Sequence, residues 1–230
     1  MLFFDPTYFI FMIPAFIIMA MASAYVRLSY NKWSKIRATS GLTGAQAAQR
    51  LISTGNLYGV QVAGTQGQLS DHYDPRNKTL FLSSGVHDSP SVAAVAIAAH
   101  ELGHAMQDAE DYFPMQIRSF LVPVVNIGSN LGWILIMIGL FLQQMNIAWL
   151  GVIVFSGGAL FALATLPVEF NASARAKELL YSTGIIQTEE ERRGVNTVLN
   201  AAAMTYVAGL ITAVLQLLYF VFLIGGRRRD

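Results

Sequence analysis

The chain has 230 residues, of which 54% are hydrophobic and only 13% charged, well below the roughly 25% charged residues of an ordinary soluble domain. A net charge of +1 gives no electrostatic footprint for a nucleic-acid partner. With no cysteine there is neither a disulfide nor a thiolate ligand, so a zinc site would have to use histidine and carboxylate.

The apolar residues gather in blocks at 8–26, 119–142, 147–166 and 204–224. Each has about the 20-residue length that spans a bilayer, and four in so short a chain imply a mainly α integral membrane protein with about four transmembrane helices. The first block is uncharged, with Pro14 as an expected kink. Asp5 precedes it, no Lys or Arg does, and Tyr25, Val26 and Arg27 follow where a signal peptidase would need small residues. Residues 1–26 are therefore read as a retained anchor.

In the polar region 27–118, "TGAQAAQRLISTGN" (43–56) predicts a short amphipathic helix closed by Gly55. "VQVA" (60–63) and "TLFLS" (79–83) predict short strands around the turn "YDPRN"; the second is either an edge strand able to pair with an extended peptide or part of the core. A longer helix is expected to follow, with Ser89 as N-cap and Pro90 at its first position. That helix contains "HELGH". His100 and His104 stand one turn apart, so both imidazoles can converge on one point, with Glu101 projecting beside it. The arrangement suits a zinc ion with a water activated alongside. His72 and His87 read as loop or surface residues.

Residues 119–166 form an expected transmembrane hairpin around the link 143–146. Asn126, Ser129 and Asn130 are polar, but no Asp, Glu, Lys, Arg or His lies in any apolar block, which argues against an ion or proton pathway. The small-residue run at 151–164 is a candidate contact with a membrane-protein partner or a second copy of the chain. Pro167 is expected to end the third block and start a helix in the second polar region, 167–203. A catalytic zinc needs three protein ligands, and Glu169, at the membrane exit on the side of the HELGH helix, is the best third candidate. Glu178, Glu189 and Glu191 sit farther out in a stretch read as charged and solvated. Arg175 and Tyr206, the latter opening the last membrane segment (204–230), are candidate donors to an oxyanion; the alternatives are a headgroup arginine and an interfacial tyrosine.

Lys and Arg populate both polar regions, from Arg27 to Arg118 and from Arg175 to Arg193, and are absent from the link. The positive-inside rule places both regions in the cytoplasm. Four full crossings then put the arginines at 227–229 on the opposite side, against the same rule.

"AIAAHELGHAMQ", "LPVEFNASARA" and "AAAMTYVAG", together with "SDHYDPRNKTLFLS", resemble the bacterial membrane-embedded neutral zinc metallopeptidases of the YugP type. These are distant relatives of the HtpX-type heat-shock proteases and the CAAX prenyl proteases, and the resemblance covers nearly the whole chain. It implies a small α+β gluzincin-like protease domain carried by the membrane helices. One zinc per chain would be held by His100, His104 and Glu169, with Glu101 as general base. It implies a zinc endopeptidase acting on membrane or membrane-proximal proteins at the cytoplasmic face of the bacterial inner membrane; spacing alone supports only a zinc hydrolase. The wider group opens an E-x-x-x-D pattern with its glutamate ligand. Here Ser173 takes the aspartate's place, leaving Asn171 or Ser173 to stand in as partner of a ligand. The competing function is a zinc-binding scaffold without protease activity, against which the intact Glu101 argues.

Overall fold

The structure is a computed structural model that describes residues 6–55 and 57–226. Asp5, cited for the anchor, Asn56, the last residue of the 43–56 stretch, and the arginines at 227–229, which run against the charge bias, lie outside the described residues. In chain order the elements are α1 (Pro6–Trp33), α2 (Gly44–Thr54), β1 (Gln61–Thr65), β2 (His72–Asp74), β3 (Thr79–Ser83) and α3 (Ser84–His87). They continue with α4 (Val92–Ala109), α5 (Phe113–Phe141), α6 (Met145–Phe155), α7 (Gly157–Ser182) and α8 (Glu189–Gly226).

A segment in lipid must satisfy its backbone N–H and C=O groups internally, and uninterrupted helices do so. Four helical stretches are long and apolar enough to cross a membrane: Pro6–Trp33, Phe113–Phe141, Met145–Ser182 and Glu189–Gly226. Phe16, Phe120, Phe141 and Ile153 stand exposed on them, an apolar surface that a soluble protein would bury and that lipid covers. The protein is a mainly α membrane protein with a small three-stranded sheet.

Three boundaries differ from expectation. The third apolar block is divided at Ser156 into α6 and α7, and Pro167 lies inside α7 instead of opening a new helix. Proline removes its own N–H and crowds the carbonyl four residues earlier, which bends a helix without having to end it. The last block is likewise the latter part of one 38-residue helix that begins at Glu189.

The chain divides into two compact units. One comprises Met1–Ser23, Gln116–Pro167 and Thr205–Asp230. Its core joins Ile136 and Leu140 of α5, Ala148 and Val152 of α6, and Tyr219, Phe220 and Ile224 of α8. A Cβ on Gly151 would lie 2.6 Å from the backbone N of Ile136, so α5 and α6 touch through their backbones. The first glycine of the small-residue run is thus used within the chain.

The second unit comprises Ala24–Met115 and Val168–Met204. Its sheet has the order β1-β3-β2, with β3 parallel to β1 and antiparallel to β2. "TLFLS" is therefore the central strand and not an edge. Leu80 and Leu82 are fully buried, in one core with Leu51 of α2, Val95 and Leu102 of α4, Leu180 of α7 and Leu199 of α8. Tyr73 and Asp74 of β2 fall in the stretch read as a turn, and His72, read as a loop or surface residue, opens the strand.

Local caps hold the unit's helices. Thr43 and Gln46 form a capping box at the start of α2, and Gly55 caps its end. The N-cap of α4 is Ser91, whose hydroxyl accepts from Ala94 N at 3.2 Å; it is not Ser89. The chain ahead of α4 is held extended, with Ala38 N donating to Pro90 O and Val92 N to Ile36 O, both at 2.9 Å, so the helix cannot begin at Pro90. Glu191, expected in solvent, is buried instead. Its carboxylate accepts from Thr188 N at 2.8 Å, capping α8, and from Thr39 N at 2.6 Å.

Candidate metal centre

Alanine-rich α4 runs through the second unit with almost every face covered, placing His100, Glu101 and His104 in the protein interior. Alanine makes this feasible, combining high helix propensity with a side chain small enough for neighbours to approach closely. Gly103 allows the closest approach. A Cβ there would lie 2.5 Å from the carbonyl oxygen of Ala172 on α7. With α7 that close, Glu169 reaches the two histidines from the neighbouring helix.

The Nε2 atoms of His100 and His104 lie 3.3 and 3.6 Å from the same Glu169 oxygen, Oε2. Three ligand atoms, one per residue, all fall within 4.8 Å of one another, and all three residues are buried. Four ligands around a zinc at about 2.05 Å would be separated by roughly 3.3 Å in a tetrahedron. Two nitrogens and one carboxylate oxygen at these separations fit that ion in both donor type and spacing. The other ring nitrogens are already engaged: His100 Nδ1 with Ser173 Oγ at 3.2 Å and His104 Nδ1 with Gln107 Oε1 at 3.0 Å. Both Nε2 atoms are thereby left facing Glu169.

Burial alone would push the His104 pKa down. The hydrogen bond to Glu169, the charges of Glu101 and Glu169 and the Gln107 contact outweigh it, so the pKa sits above its ordinary 6.5. Glu101 is almost fully buried next to His100. Asp71 accepts from Ser83 N at 2.7 Å and from Ser83 Oγ at 3.0 Å. Its carboxyl pKa is raised by burial, against the pull of those hydrogen bonds, with the Glu101 charge adding to the rise. Tyr73 donates to Asp108 at 2.8 Å, tying β2 to α4. The "SDHYDPRNKTLFLS" stretch thus braces the helix that carries the histidines.

Of the other residues singled out in the sequence, Arg175 lies on α7, where its Nη atoms donate bidentately to Glu110 at 2.8 and 2.7 Å. Its Nε donates to Asn171 at 2.8 Å. These bonds hold the Glu110 pKa below the usual carboxylate range. Tyr206 belongs to α8 in the other unit. His72 is exposed and stacks on Phe81, and His87 pairs with Asp88 at 2.6 Å; neither joins the cluster. Of the two stand-ins for the missing aspartate, Ser173 contacts a histidine directly, whereas Asn171 is reached through Gln107. Gln107 was not anticipated, although its place three residues after His104 on one helix face was the available signal. Gly103, inside the motif, was also passed over.

A family described as "putative neutral zinc metallopeptidase" matches residues 8–225. The chain is 44% identical over 198 residues to a protein of Bacillus subtilis (strain 168) named "putative membrane protease YugP", covering 86% of this chain and 88% of that one. No solved structure matches. With nearly its whole length matched, and with two histidines and a glutamate converging where the family's name calls for a metal, the chain belongs to the neutral zinc metallopeptidase family.

Proposed function

We propose that the protein is a membrane-embedded zinc endopeptidase of HExxH-plus-glutamate (gluzincin) type, hydrolysing peptide bonds of membrane or membrane-proximal proteins. The observation that carries the reading is the convergence of His100, His104 and Glu169 from two helices onto one buried point. These three residues would hold one zinc per chain. When bound, the ion supplies a Lewis acid that brings the pKa of a coordinated water to about 7. Glu101, next to a ligand but outside the converging set, takes the proton of the attacking water and hands it to the departing amine. Ser173 and Gln107 orient the two imidazoles. The engagement of Arg175 with Glu110 and Asn171 favours a positioning role for it over donation to an oxyanion. Tyr206 stands as an oxyanion donor on its chemistry alone, to be tested as Tyr206→Phe.

The charge distribution supports the orientation in this reading. With both polar regions on the cytoplasmic side, the site faces the cytoplasm at the inner membrane of a bacterium. The experiment that tests the metal reading is elemental analysis of purified protein. Wild type and His72→Ala are expected to carry about one zinc per chain, and His104→Ala none. Equal zinc in His104→Ala and His72→Ala would remove the ligand set.

A further inference from the structure

Gln107 is completely buried, and both ends of its amide are used. Oε1 faces His104 Nδ1 at 3.0 Å, while Nε2 lies 2.8 Å from Val168 O and 2.9 Å from Asn171 Oδ1. Which end is nitrogen follows from the neighbours. A carbonyl oxygen such as that of Val168 can only accept, so the amide must present its N–H there. Arg175 gives the same answer independently. A guanidinium can only donate, and its Nε lies 2.8 Å from Asn171, so the oxygen of Asn171 faces Arg175. The same oxygen faces Gln107, which must again present its N–H. Reversing the Gln107 amide would set its oxygen against two other oxygens inside the protein.

The direction propagates to the histidine. With Oε1 as the only part of Gln107 left for His104, Nδ1 must carry a proton, and Nε2 is the nitrogen left for a metal. We infer that Arg175, Asn171 and Gln107 form a hydrogen-bond chain of fixed polarity, donated into Asn171 Oδ1 from both sides, that keeps the His104 proton on Nδ1 and reserves Nε2 for the metal. This deepens, and rests on, the zinc reading. Gln107 is thus a positioning residue: it is fully buried and acts through His104. Through Val168 and Asn171 it also links the helix of the two histidines to the helix of Glu169. The surface pair Arg175–Glu110 closes the chain, because the carboxylate holds the guanidinium in the orientation that aims Nε at Asn171.

The test compares wild type, Gln107→Met, Asn171→Leu and the double variant, each as the full chain in detergent. Zinc affinity is measured by competition with a chelator, and solvent exchange of the His104 Nδ1–H by NMR of ring-labelled protein. Wild type should show a protected Nδ1–H. Gln107→Met should lose that protection and weaken zinc binding by about 10- to 100-fold, the range for loss of a ligand's hydrogen-bond partner. Asn171→Leu should shift both in the same direction, and the double variant should be no worse than Gln107→Met, since Asn171 acts through Gln107. Lower melting temperatures with unchanged zinc affinity and unchanged protection would overturn the inference and leave only a packing role. Should Gln107→Met fail to fold, wild type and Asn171→Leu decide the matter by the same two readouts. Protection is also read in metal-free protein at a pH where His104 is protonated. A chain that binds no zinc therefore refutes the metal reading separately, and an unprotected Nδ1–H there refutes the hydrogen-bond chain.

Discussion

Two imidazole nitrogens that share one carboxylate oxygen out of contact with solvent need a positive charge among them, either a proton or a metal ion. The two compete, and this gives opposite pH dependences. In the metal-free protein His104 titrates above 6.5, because Glu169 and Gln107 more than offset the cost of its burial. A histidine raised in the folded state contributes stability that is complete below 6.5 and is lost as pH rises through the raised value. Metal-free wild type should therefore gain melting temperature, relative to His104→Gln, as pH falls through that window. Zinc affinity should fall over the same window, because the ligand nitrogen must shed its proton. Chelator competition and thermal melts across the pH range measure both, and parallel trends would show that His104 is not the competing group.

At the scale of elements, the site depends on how closely two helices approach. A Cβ on Gly103 would meet the backbone of Ala172, which cannot move aside as a flexible side-chain tip could. Gly103→Ala should cost the roughly 1–3 kcal/mol of an overpacked contact and weaken zinc binding by moving Glu169 off the histidines. Gly209→Ala on α8, with nothing within 4 Å of the added carbon, should leave zinc binding unchanged and should not lower the melting temperature. Thermal melts and zinc affinity on both variants check this. The same contact shows where the sequence was informative. Spacing on one helix made His100, Glu101 and His104 legible, because the turn of a helix is a local rule. Glu169 was reached by counting ligands, since nothing local ties it to α4. Gln107 and Gly103 matter only because α7 packs against α4, and the sequence does not announce that pairing. The "TLFLS" segment shows the same limit: its pattern identified a strand, but its central place in the sheet depends on β1 and β2 arriving on either side.

For the whole molecule, composition alone was enough to indicate a membrane protein, because bilayer thickness sets a length that apolar blocks either meet or do not. Their subdivision was harder to read. Pro167 was read as ending the third block and opening a helix, yet α7 continues through it, because a proline can kink a helix without ending it. The proposed orientation rests on the basic residues of the two polar regions and is open to direct labelling. Single cysteines at Gln66 and Gln187 should resist a membrane-impermeant maleimide in intact cells, and one at Gln144 should react; the reverse pattern would invert the topology.

The central claim, that the converging residues hold a metal while Glu101 supplies the base, is tested most directly by comparing Glu101→Gln with Glu169→Gln. Both variants and wild type are purified in detergent, and zinc content is measured alongside cleavage of a quenched peptide library. Glu101→Gln should keep its zinc and lose about 10²- to 10⁴-fold in cleavage rate, the range for a missing general base. Glu169→Gln should lose zinc, since a neutral amide is a poor ligand. Zinc lost from Glu101→Gln would make Glu101 a ligand, and wild-type cleavage by that variant would contradict the hydrolytic account.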